Sequence, residues 1–453
     1  MRPFAATPRP RANAQVASHG GTQGLDLALW CVAAITAVST AASLPKEFAD
    51  IELGAYGWRV GSVVLAVAML ACARFSLSAA RPLLGVFAPW MTAMTALAAI
   101  RLDQPTVWLE WLRHAYMIAV GACVFAGCRT PVGRLLLTRT VLLLLACILL
   151  LCIQPVVMML AGGWSWEQAR VLKADDPGGL RVNAVMFLFA LLVAALWTQP
   201  GRPRVRLFVT AAFLGASVLF AVRSAPISAV LAAALVAGYA VWRGHRRVSA
   251  ATASLIAGAI LLLPLGFILL VLSAPDSALA ATLAGRAQLW RISLAVWEQA
   301  PLIGAGPDAL ILGVHRDLNV GTFFADWQRE SLFNLMKGGF HNIWLDTLAS
   351  KGLVGLAGLF ASYFLLLRAG LASAAAGSRA LLLITLLLFS RGYVEVSGLF
   401  SYENSPHDFV AFVLVAASLA AALGGPTEAP ATQVPQPARR PRRHGLQVGR
   451  HVR

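Results

Sequence analysis

The stretch GRAQLWRISLAVWEQAPLIGAGPDAL, residues 285–310, and its continuation GGFHNIWLDTLASKGLVGLAG, residues 338–358, decide how this chain is read. From Gly285 to Asp346 the sequence gathers Arg286, Arg291, Glu298, Asp308, His315, Arg316, Lys337, His341 and Asp346 into one polar excursion. Nearly everything before it, and much after it, is apolar enough to lie in a bilayer. A membrane protein that keeps one large polar loop and trims the others concentrates its recognition or chemistry there. Gly285–Gln299 fits an amphipathic helix, with Leu289, Ile292, Ser293 and Val296 on one face and Arg286, Trp290 and Trp297 on another. Pro301, Gly304 and Gly306 end it, and a second helix is expected from Asn342 onward.

Composition sets the solvent. Of 453 residues 58% are hydrophobic and only 13% charged, with a mean hydropathy of +0.72; soluble domains carry about 25% charged residues. The net charge of +17 falls mostly on arginines in short loops and at the two ends. That is the bias of cytoplasmic segments of membrane proteins, and it argues against a nucleic-acid partner. The six cysteines sit in or beside apolar runs without metal-ligand spacing.

Taken in order, residues 1–24 read as a disordered polar tail. Twelve apolar runs follow, near 25–44, 58–74, 82–100, 109–127, 134–154, 182–198, 207–222, 226–242, 250–273, 352–368, 380–398 and 406–424, most of them close to the about 20 residues a bilayer requires. The domain plan is therefore nine transmembrane helices in 25–273, a large loop in 274–351, three more helices in 352–424, and a Pro- and Arg-rich tail in 425–453. Arginine-bearing loops alternate along the chain, at Arg74 and Arg81, Arg129 and Arg134, Arg202 to Arg206, Arg243 to Arg247, and Arg368 and Arg379. With both tails they define a cytoplasmic side, which turns the 274–351 loop outward. The expected fold is an all-α polytopic membrane protein with one large outer helical loop.

Three outward features stand out. Arg223, in LFAVRSAPIS, joins two apolar runs at a depth where a charge needs a partner or a polar cavity; a side chain snorkelling from a helix end is the alternative. Arg286 shares a helix face with Trp290, and Arg291 points elsewhere; a guanidinium fork suits phosphate oxygens, while the bland reading is an interfacial helix anchored by its tryptophans. His341 precedes Asn342 at a helix start and can take a proton near neutral pH, or can simply satisfy local hydrogen bonds. Asp50 and Glu52 in the first outward loop could ligate a divalent cation, although a solvated loop is the preferred reading, and no metal is expected.

Together these residues resemble the O-antigen ligase / O-antigen polymerase superfamily. The matching motifs are G-R-x-x-x-W at Gly285, Arg286 and Trp290, then P-L-x-G-x-G at Pro301, Leu302, Gly304 and Gly306. They continue as H-N-x-x-L at His341, Asn342 and Leu345, with Gly352 and Gly355 beyond. The resemblance covers about 285–358 and is only topological elsewhere. It implies a GT-C-like glycosyltransferase of the bacterial inner membrane, with its site facing the periplasm. Such an enzyme works without metal or cofactor on glycans carried by undecaprenyl diphosphate. Arg223, Arg286 and His341 are the functional residues it implies, Arg223 in surroundings that depart from the commoner Ser-Arg order. Trp290, Arg291 and Asn342 are candidate substrate contacts beside them.

The leading expectation is O-antigen ligase, moving the O-antigen glycan from its carrier to lipid A–core in lipopolysaccharide biosynthesis. An O-antigen polymerase is expected to carry two sizeable outer loops, and a protein O-oligosaccharyltransferase an added soluble portion. A polyprenyl-linked glycan transporter would place charges mid-span on repeated, broken helices.

Overall fold

The computed structural model describes residues 13–45, 52–167, 169, 182–198, 203–244, 248–273, 286–306, 340–393, 395, 399–400 and 405–423. The described chain is helical, without β-strands. Helices α1 (Asn13–Ala42), α2 (Glu52–Cys72), α3 (Arg81–Ile100), α4 (Pro105–Cys128) and α5 (Pro131–Ala161) come first. Then follow α6 (Val182–Thr198), α7 (Pro203–Leu219), α8 (Ser224–Arg243) and α9 (Ala250–Ser273). The last four are α10 (Arg286–Gln299), α11 (Ile343–Ala375), α12 (Ala380–Arg391) and α13 (Pro406–Leu423). The far N-terminus, Asp50, Gly285, Asp308, His315 and the 425–453 tail lie outside the described residues.

The outer surface explains why this assembly needs a bilayer. Leu255, Leu262, Leu263, Leu265, Leu269 and Leu270 of α9 are all exposed, as are Leu150, Ile153 and Val157 of α5. In water such continuous apolar faces would drive aggregation; against lipid tails they are at no disadvantage. Helix α6 is the opposite case: Val182 and every residue from Val185 to Leu196 are buried, so it forms an interior column. Among the described residues, eight helices are long and apolar enough to cross a membrane, those of α1, α3, α4, α5, α8, α9, α11 and α13. Shorter apolar helices among the described residues are Tyr56–Cys72, Val182–Thr198 and Ala380–Arg391.

The expected count of twelve is thus coarser in the structure. A helix overlaps each apolar run, but α7 carries Arg204 and Arg206 in its first turn and falls outside both groups. Boundaries differ as well. Helix α1 begins at Asn13 rather than Leu25, so it extends through Gly20, Gly21 and Gly24 although glycine is a poor helix former. Helix α12 stops at Arg391, short of residue 398. Helix α11 starts at Ile343, inside the segment read as loop.

Helix α11 organises the site. It packs against α3, α8, α9, α10, α12 and α13, and Ile343–Leu345 and Thr347–Gly352 of its first part are buried. At Gly352 its backbone leaves helical geometry (φ 62°, ψ −160°), so it is two helices joined at a break.

Candidate functional site

The break in α11 is filled by the residues that end α10. Ala305 and Gly306 donate their N–H groups to the carbonyls of Ala349 and Ser350 (2.8 and 2.9 Å), and Leu353 and Val354 donate to Pro301 and Leu302 (2.9 and 3.1 Å). Backbone groups freed by the break thus find partners on another segment, as buried polar groups must. The close approach dictates glycine: a Cβ on Gly304 would lie 2.3 Å from Lys351 N, and one on Gly352 2.4 Å from the Leu302 carbonyl. Both also have positive φ, which only glycine adopts freely. Arg101 closes the far side, donating to the carbonyls of Ile303 (3.1 Å) and Gly304. Below it the buried ammonium of Lys351 meets Glu110 Oε1 of α4 at 2.8 Å.

Asn342 starts α11. Its side-chain oxygen accepts from the N–H groups of Trp344 and Leu345 (3.0 and 3.1 Å), which makes it an N-cap. Its amide donates to Tyr393 O at 3.1 Å, and Ile343 N donates to Gly392 O at 2.9 Å. These bonds draw the chain beyond α12 across the start of α11. They leave His341 at φ 49°, a left-handed conformation that a non-glycine residue holds only where its surroundings enforce it.

Glu395 arrives there as a result. One carboxylate oxygen lies 3.1 Å from Arg286 Nη2 and the other 3.2 Å from His341 Nδ1. The Glu395 side chain is 15% exposed, those of Arg286 and His341 24% and 16%. Burial opposes ionisation of Glu395, but the His341 hydrogen bond and the charges of Arg391, Arg286 and His341 prevail and hold its pKa at about 2. An ionised carboxylate only accepts hydrogen bonds. His341 Nδ1 therefore carries a proton, and in the neutral ring the lone pair belongs to Nε2.

Arg391 ends α12 beside this group. It donates to Ser224 Oγ at 3.1 Å and covers the Phe187 ring at 4.2 Å. Ser224 opens α8 directly after Arg223, which is itself exposed, its guanidinium 5.6 Å from the Trp166 ring. The ends of α8, α10, α11 and α12 thus meet around Arg286, His341, Glu395 and Arg391, with Arg223 next in sequence to Ser224.

Of the residues singled out from sequence, Arg286 and His341 are joined through a single carboxylate. Arg223 adjoins the group through its neighbour Ser224. Trp290 is fully buried and packs on Phe267 at 5.9 Å; Asn342 is likewise buried, its amide spent on the cap. Arg291 is exposed, on another side of α10. Glu395 and Arg391 escaped sequence reasoning, although opposite charges inside the run 380–398 were a usable signal. Among the described residues no three His, Cys, Asp or Glu side chains come together as a metal site.

No family model matches the chain, and no curated protein matches it.

Proposed function

We propose that the protein is a membrane glycosyltransferase acting as an O-antigen ligase. In this reading it moves a glycan from undecaprenyl diphosphate to lipid A–core at the periplasmic face of the bacterial inner membrane. Twelve spans, a GT-C-like arrangement and cytoplasmic termini belong to the same proposal. The observation that carries it is the Arg286–Glu395–His341 group, which sets a fixed cation and an oriented imidazole side by side.

The acceptor hydroxyl oxygen attacks the anomeric carbon, the bond from that carbon to the phosphate oxygen breaks, and polyprenyl diphosphate departs. Inversion follows from direct displacement. His341 Nε2 takes the hydroxyl proton, help of a kind typically worth about 10²–10⁴-fold. Arg286 and Arg223 face the charge growing on the leaving diphosphate, with Arg391 adding to the field. Each charge-assisted contact contributes about 1.5–3 kcal/mol. Glu395 keeps Nδ1 protonated and both donors in place. A site at headgroup level lets two lipid-borne substrates meet by lateral diffusion.

Purified protein in lipid nanodiscs, given lipid-linked glycan and lipid A–core with excess chelator, should form the joined product. The Arg286→Ala variant should insert normally and form none; Arg286→Lys should recover part of the rate, since a point charge lacks the bidentate fork. Full turnover by Arg286→Ala, or a strict need for added Mg²⁺, would overturn this mechanism. In cells, deletion should remove the long lipopolysaccharide ladder while carrier-linked glycan accumulates.

A further inference from the structure

Beyond the end of α5 the chain reads Trp164-Ser165-Trp166-Glu167. The two indoles are 40% and 41% exposed and stand edge to face, their centroids 6.4 Å apart and planes at 80°. Trp164 Nε1 donates to Leu219 O at 3.1 Å, at the end of α7. The Trp166 ring lies 5.6 Å from the Arg223 guanidinium, at the start of α8. Two attachments thus grip both sides of the α7–α8 turn, in which Ala221 is held at φ 51°. Glu167 is exposed at the same place.

Tryptophans near a membrane end commonly anchor at the headgroups, ring toward the acyl chains and N–H toward water. These two are arranged otherwise. The Trp164 N–H is taken by a main-chain carbonyl, and the Arg223 guanidinium lies over the Trp166 ring, an arrangement unsuited to a ring directed at lipid tails. Exposed indole surface beside a fork of donors, with an exposed acceptor next in sequence, matches a different ligand. A pyranose has an apolar C–H face and a rim of hydroxyls, so it uses an aromatic platform and a few placed polar groups together.

We propose that Trp166, braced by Trp164 and followed by the exposed Glu167, is a glycan subsite that stacks the donor sugars nearest the diphosphate. The assignment rests on the ligase reading, in which Arg223 faces that diphosphate. The Arg223 guanidinium lies over the ring itself, so a sugar on the exposed remainder of the indole would adjoin a phosphate held by that arginine.

The test is binding to full-length protein in nanodiscs, comparing bare undecaprenyl diphosphate with the same carrier bearing its glycan. Wild type should bind the glycosylated carrier more tightly. Trp166→Ala should weaken that binding by about tenfold, as loss of a central aromatic contact does, and leave the bare carrier unaffected. Trp166→Phe should restore part of the difference. Equal weakening for both carriers would mean that Trp166 only positions Arg223, and the subsite is overturned. No change for either carrier, with lowered thermal stability or insertion, would make it a membrane anchor and overturns it likewise. Wild type that binds neither carrier removes the ligase reading and the subsite together.

Discussion

Glu395 Oε2 lies 3.2 Å from His341 Nδ1 across 54 positions of sequence, so the orientation of the imidazole is set by a residue from a different helix pair. Because the same carboxylate holds Arg286, the leaving-group cation and the proton acceptor cannot shift independently. Rigid placement of this sort is what electrostatic catalysis requires.

Replacing Glu395 by Gln should therefore cost turnover more than binding. The amide keeps the shape but can donate as well as accept, so it no longer fixes the tautomer of His341. We expect kcat to fall by roughly 10²-fold or more, with the affinity for lipid-linked donor changed by much less, measured on purified protein. The pH dependence has a definite sign. The carboxyl titrates near 2 in the folded protein, below the usual 4.5. Its contribution to stability is complete above about pH 4.5 and is lost as pH falls through 2; the displacement corresponds to on the order of 3 kcal/mol. Melting of wild type should drop more steeply than that of Glu395→Gln below pH 4.5, and the two curves should run parallel from pH 5 to 8. Any acid limb of activity above pH 5 then belongs to another group.

Gly352→Ala tests the break in α11. The added Cβ meets the Leu302 carbonyl at 2.4 Å, and neither backbone can yield without losing the four hydrogen bonds that join Pro301–Gly306 to Ala349–Val354. Overpacking of this order costs about 1–3 kcal/mol or more, with the positive φ adding to it. Reduced monodisperse protein on detergent size exclusion is the expected outcome. Gly85, which has nothing within 4 Å of its Cβ position, should accept Ala without loss.

The Lys351–Glu110 pair, side chains 5% and 2% exposed, gives a second stability test. Lys351→Met leaves a carboxylate buried without its counter-ion, a change that typically costs about 3–5 kcal/mol. Adding Glu110→Leu removes the orphaned charge, so the double variant should melt well above the single one. Additive losses would show that the pair is not coupled.

These residues also mark how far the sequence could be read. Arg286 and His341 were legible because polar, chemistry-bearing side chains are conspicuous in a chain this apolar. The glycines of P-L-x-G-x-G and G-x-x-G were legible as a pattern, but their cause was not. Gly304 and Gly352 serve backbone pairing between segments about fifty residues apart, which no local spacing encodes. Glu395 and Arg391 were hidden by averaging: an apolar window over 380–398 absorbs two charges of opposite sign, and the helix end at Arg391 appears only once Asn342 and Ile343 are seen bonded to Tyr393 and Gly392. Trp290 shares the i,i+4 spacing with Arg286, and its burial against Phe267 is a long-range contact that spacing does not reveal.

His341 itself admits the sharpest separation of roles. Its backbone conformation is imposed by the cap at Asn342 and the bonds to the 392–393 turn, none of which uses the imidazole. His341→Ala should therefore insert and fold near normally, with donor affinity retained by the arginines and transfer reduced by about 10²–10⁴-fold. His341→Gln divides the remaining possibilities. An amide can orient a hydroxyl by hydrogen bonding but cannot usefully take its proton. Near-wild-type turnover in the Gln variant would leave orientation as the role of the residue. A comparable loss in both variants, with donor binding kept, makes Nε2 the proton acceptor.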